Sequence, residues 1–205
     1  MIFAVIGAVR GDAALFSRVI QAIESEGIYT IFHTGNLVIG GEGGPEIAAG
    51  LRKRGIEGVQ GMEDRLLASL ERKRNALMRK MSPESFAELE RAGAQIASRD
   101  LEWLRGLPKS ESHTVDGIEI GLCCGSPSNP REVVGEDLSK ERLSRLREEM
   151  PSPILICGSA GAFFTTWIGS TLMIAPPPLA TGGGAGQYVR VSTEEEPWTA
   201  ACVVV

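Results

Sequence analysis

The imidazole and thiol metal donors of this chain are two histidines, His33 and His113, and four cysteines, Cys123, Cys124, Cys157 and Cys202. Their spacing gives no zinc knuckle and sets no histidine beside a thiol, so the cysteines read as small, buried, apolar side chains. The glycine-rich loops Gly40 to Gly44 and Thr181 to Gly186 carry backbone amides that could cradle an anion. No Gly-Lys-Ser or Gly-Lys-Thr follows the second, which reads as a connector, and the first is no recognisable nucleotide fingerprint. The cations Arg65, Arg72, Lys73, Arg74, Arg79 and Lys80 are candidates for holding an anion. They recur at helical spacing around Glu71, which reads as a solvated helix face.

The elements that must position these groups change character along the chain. Ile2 to Ile6 is a continuous apolar run, expected for a strand covered on both faces, and the loop Gly7 to Asp12 leads into an amphipathic helix over Ala13 to Ser25. Tyr29 to Thr34 reads as a second strand, about Glu46 to Arg54 as a helix and Ile56 to Gly61 as a third strand. Three successive β-loop-α units imply parallel strands with helices on the outer face of their sheet. From about 64 to 107 the pattern is helical, with a break at Ser82-Pro83, and two or three helices fit.

After Pro108 the texture turns to hairpins. Ser112 to Val115 and Ile118 to Cys123 flank the turn Asp116-Gly117, and a second sheet begins there. Ser139 to Met150 is a charged helix and Ile154 to Cys157 a buried strand. Phe163 to Trp167 and Thr171 to Ile174 form a hairpin, and Gln187 to Ser192 and Trp198 to Val205 are the last strands. No internal repeat or interdomain linker interrupts residues 1–205, which read as one domain with a helical insertion at about 64–107.

With 43% hydrophobic and 23% charged residues, 205 residues are enough to bury a sizeable core. A net charge of -5 argues against general attraction to nucleic acid or to anionic membranes. No apolar run approaches the length of a membrane helix, and Met1 to Ile6 enters the first strand without a basic leader or cleavage site. The expected location is the cytoplasm, and the expected partners are an anionic small molecule or a protein, including further copies of the chain.

Five short stretches then fall in order at strand ends: Ala8-Val9-Arg10-Gly11-Asp12, Gly35-Asn36, Gly61-Met62-Glu63-Asp64, Cys124-Gly125-Ser126-Pro127 and Gly158-Ser159-Ala160-Gly161. The series resembles the small calcineurin-like metallophosphoesterases of bacteria and archaea. There the same stretches read Asp-x-His-Gly-Asn, Gly-Asp, Gly-Asn-His-Asp, His-Gly-Ser-Pro and Gly-His-x-His. The resemblance spans essentially the whole chain and implies an α/β fold, a four-layer αββα sandwich of two mixed sheets flanked by helices.

It also implies where chemistry would sit, because members of that family hold two divalent metals such as Mn, Fe, Ni or Zn. These ions polarise the phosphoryl oxygen and supply a hydroxide. Ala8 and Arg10 stand at the first Asp and the first His, and a guanidinium there would repel metal. Asn36 replaces the bridging Asp, Met62 and Glu63 replace an Asn and the general-acid His, Cys124 replaces another His, and Ser159 and Gly161 replace the last two. The resemblance thus implies a metal-free pseudoenzyme with no catalytic residue. It leaves Arg10, Asp12, Asn36, Glu63, Asp64, Cys124 and Ser159 as vestigial-site or ligand-binding candidates. Arg10 would pair with Glu63 or Asp64, or hold an anion where phosphate once bound. The alternative is an atypical phosphoesterase using a reduced metal site, and a third reading is a structural subunit of a homo-oligomer.

Overall fold

A computed structural model describes residues Met1–Val205. The chain opens with strand β1 (Ile2–Ile6), helix α1 (Ala13–Ser25), strand β2 (Ile31–His33), helix α2 (Gly44–Arg54) and strand β3 (Glu57–Gly58). The three strands pair in parallel, as three β-loop-α units require. Strand alternation partitions β1 between two cores. Ala4 and Ile6 face α1 and α2 on one side, and Phe3 and Val5 face the second sheet on the other. Burial on both faces is why β1 reads as an unbroken apolar run.

The helical segment consists of α3 (Met62–Lys80), α4 (Pro83–Gln95) and α5 (Ser98–Gly106). Ser82 caps α4, its hydroxyl accepting from the Ser85 N–H at 3.2 Å, and Pro83 follows in the first turn, where its missing N–H costs nothing. Leu67, Leu77, Phe86, Leu89 and Leu104 bury this helical layer against the outer face of the first sheet. An Arg52–Asp100 ion pair at 2.8 Å ties α5 to α2.

The second sheet is built from β4 (Ser110–Val115), β5 (Ile118–Cys123), β6 (Ile154–Cys157), β7 (Phe164–Ile168) and β8 (Thr171–Ala175), in the order β4-β5-β6-β8-β7. Helix α6 (Lys140–Glu149) covers its outer face through Leu143 and Leu146. The last strands, β9 (Gln187–Ser192) and β10 (Thr199–Val204), return to the first sheet, whose order is β10-β9-β1-β2-β3. Each sheet therefore mixes parallel and antiparallel pairs, and the two stack through Phe3, Val5, Phe32, Ile120, Leu122 and Ile156. This is the expected four-layer αββα sandwich.

Several boundaries differ from the sequence-based expectation. The second strand starts at Ile31, because Tyr29 projects into solvent with 81% of its surface exposed. The third strand pairs over two residues only. The first long helix of the insertion starts at Met62, which places Asp64 inside its first turn, where its carboxylate accepts the Gly61 N–H.

Candidate functional site

The site lies where the loops after β1, β2, β3, β5 and β6 converge. Three of its residues adopt left-handed backbone geometry although none is glycine: Arg10 (φ 54°), Asn36 (φ 56°) and Ser159 (φ 59°). Such conformations are disfavoured for residues with a Cβ and persist where surrounding contacts hold them, which occurs most often at functional sites. Apart from Asp116 in the β4–β5 turn, these are the non-glycine residues of the chain with positive φ.

Asn36 and Asp64 form the centre. The Asp64 carboxylate is fully buried and accepts the N–H groups of Asn36 at 2.7 Å, Leu37 at 2.9 Å and Gly61 at 2.9 Å. Burial pushes its carboxyl above the usual range, against the pull of those backbone donors. The Asn36 side-chain oxygen accepts the Glu63 N–H at 3.1 Å, and its amide nitrogen reaches Ser159 Oγ at 3.5 Å and Cys124 Sγ at 3.9 Å. The Asn36 carbonyl accepts the N–H groups of Val9 and Arg10. A Cβ at Gly61 would fall on the backbone nitrogen and amide oxygen of Asn36, so only glycine fits there.

Cys124 and Ser159 lie 3.2 Å apart, Sγ to Oγ. The thiol is buried, and burial raises its pKa, which leaves no readily formed thiolate. Glu63 has one carboxylate oxygen buried without a partner, and burial raises its pKa against the opposing charge of Arg10. The loop carrying Cys124 is held from outside. Arg142 on α6 donates to both oxygens of Glu132 at 2.6 Å, to Glu149 at 2.6 Å and to Ser126 Oγ at 3.4 Å. Sequence reading missed this clamp, because alternating charges on a solvated helix give no sign of which arginine faces inward.

Of the expected site residues, the fold brings Arg10, Asn36, Glu63, Asp64, Cys124 and Ser159 together. Asp12 stands apart as the N-cap of α1, accepting the Leu15 N–H at 2.9 Å. The expected internal ion pair of Arg10 is not formed. Arg10 is exposed and makes no salt bridge with Glu63 or Asp64: the Asp64 oxygens are already taken by backbone donors, and Glu63 feels the guanidinium charge without a direct ion pair. His33 is fully buried on β2 against Trp103, with both ring nitrogens unpartnered, and burial lowers its pKa to about 3. His113 lies between Glu57 and Glu111 at 3.1 and 3.3 Å and packs on Phe32, away from the site.

The architecture and the strand-end site together define the fold of the calcineurin-like metallophosphoesterases. No family model matches the sequence, and no curated protein matches it either. Solved structures do. Hypothetical protein PH1004 of Pyrococcus horikoshii OT3 superposes with a TM-score of 0.81 at 17% identity, over 100% of this chain and 87% of that one. A metallophosphoesterase from Sphaerobacter thermophilus gives 0.75 at 15% identity, over 99% and 88%. Vps29 of Entamoeba histolytica, in a structure complexed with zinc, gives 0.56 at 15% identity, over 100% and 98%.

The fold implies two divalent metals, and the residues present do not fit them. Asp64 directs its lone pairs at backbone N–H groups, and the Asn36 oxygen is occupied by Glu63 N–H. No three of the chain's His, Cys, Asp and Glu side chains converge on a point that could hold a cation. A pair of dications needs a bridging carboxylate and several further oxygen or imidazole donors, which this pocket lacks.

Proposed function

We propose that this chain is a pseudoenzyme of phosphoesterase fold, a binding or assembly module that works without metal and does not turn over phosphoesters. The observation that supports this most strongly is the occupation of the central donors. Asn36, at the place the resemblance gives to the bridging carboxylate, and its neighbour Asp64 are committed to the backbone of the loops around them. The centre of the pocket is a structural knot. Arg10 is exposed beside this site and forms no ion pair, although its charge is felt at Glu63. That charge suits a phosphate-bearing small molecule or an acidic surface of a protein partner. Association with further copies of the chain and a cytoplasmic location complete this reading. No helix is long and apolar enough to cross a membrane.

One observation favours a second reading, an atypical phosphoesterase with a reduced metal site: the buried, unpartnered oxygen of Glu63 has lone pairs to offer. Turnover of bis-p-nitrophenyl phosphate in manganese separates the two. The pseudoenzyme gives no turnover beyond that of its Asn36→Ala variant. Turnover that disappears with Asn36→Ala or Glu63→Gln establishes the hydrolase instead.

A further inference from the structure

A groove of about 1000 Å³ runs along α3, outside the strand-end site and independent of the reading given to it. Arg65, Arg72 and Lys73 line it from α3, Arg105 from α5, and Lys109 from the connection just before β4. Arg65 and Arg72 are seven positions apart and lie on one helix face, with Lys73 beside Arg72, so the three cations span about 12 Å along the helix axis. The fold thus divides the cations of this helix. Arg74 points to another face and pairs with Glu90 of α4, whereas Arg65, Arg72, Lys73 and Lys109 make no salt bridge.

The single acid in the groove, Glu71, lies 3.5 Å from Arg105 and leaves the other four cations uncompensated. Arg65 Nε is in addition buried without a hydrogen-bond partner. A buried guanidinium donor left unpaired costs free energy, and an anion in the groove would supply the missing acceptor. Four unpaired cations facing one concavity, on a chain of net charge -5, amount to a local reversal of sign rather than a general basic surface.

We propose that this groove is a binding site for a short linear oligophosphate. A line of cations matches a chain of closely spaced phosphoryl charges, with guanidinium groups donating to phosphoryl oxygens in pairs. Single-stranded nucleic acid fits less well. Its binding grooves carry aromatic side chains on which bases stack, and the apolar part of this lining is aliphatic, from Met62, Leu66 and Ala68.

The test is calorimetric titration of the full chain with inorganic tripolyphosphate, at low and at physiological salt. The expected result is saturable binding with one site per chain that weakens as salt rises. The triple variant Arg65→Ala/Arg72→Ala/Lys73→Ala should weaken it by about tenfold or more for each guanidinium removed. Arg74→Ala, which removes a cation of the same helix from another face, should leave it unchanged. The Arg10→Ala variant, which removes the exposed cation of the strand-end site, should retain this binding, which separates the groove from that site. Absence of saturable binding, equal weakening by Arg74→Ala, or tighter binding of an oligouridylate than of tripolyphosphate would each overturn the proposal.

Discussion

The carboxylate of Asp64 accepts the backbone N–H of Asn36 at 2.7 Å, and the side chain of Asn36 returns across the same loop to accept the N–H of Glu63. These two residues bind the ends of β2 and β3 into one unit. The resemblance puts a bridging carboxylate at position 36; here the side chain at that position faces the chain itself. The knot accounts for the left-handed backbone of Asn36 without a ligand, since six hydrogen bonds to its backbone and side chain hold it there.

Asp64→Ala removes the acceptor of three buried N–H groups at once. The expected loss of stability is on the order of 3–5 kcal/mol, since each buried donor left unpaired costs about 1–3 kcal/mol and the loops relax only in part. Urea denaturation followed by tryptophan fluorescence measures it, and a loss below about 1 kcal/mol would mean that the carboxylate is not the knot described.

At Asn36, glycine and alanine should differ in an informative direction. Both lose the side-chain hydrogen bonds, but glycine adopts φ 56° freely whereas alanine retains the left-handed penalty of about 1 kcal/mol. Asn36→Gly is therefore expected to be the more stable of the two by about that amount. Melting temperatures under identical conditions decide it, and equal values would remove the conformational part of the argument.

His33 gives the chain a pH dependence with a definite sign. Its ring is fully buried, unpartnered and held neutral, with a pKa of about 3 against an ordinary value of 6.5. Between those values the unfolded chain binds a proton that the native chain does not, so stability contributed by this group is lost as pH falls from about 6.5 towards 3. The slope is at most about 1.4 kcal/mol per pH unit. His33→Leu should flatten that part of the profile and cost nothing at pH 7, because it removes two unsatisfied nitrogens from an apolar site. A profile unchanged by the substitution would assign the acid sensitivity to other groups.

Much of this was legible in the residues alone. The unbroken run Phe3 to Ile6, the hairpin around Asp116-Gly117 and the strand-end glycines determine the layered fold, because each reflects a local constraint of pleat, turn or close approach. The convergence of Asn36, Glu63, Asp64, Cys124 and Ser159 followed from their places after strands. What escaped was the direction in which side chains point. An Asp in the first turn of a helix serves equally as a cap or as a ligand, and only the positions of the Asn36 and Leu37 amides decide that Asp64 is a cap. The expected Arg10 ion pair failed for the same reason. The solvated face expected for the α3 cations also divides in two once Arg105 and Lys109 are brought to it from distant sequence.

The most direct measurement is the number of metal ions held per chain after equilibration with excess manganese or zinc and removal of the free ion, with elemental analysis of native protein and of Asn36→Ala. With the Asp64 and Asn36 donors already committed to the backbone, the native chain should retain far less than one ion, and the substitution should not change that. Two ions per native chain, lost from Asn36→Ala, would contradict the account.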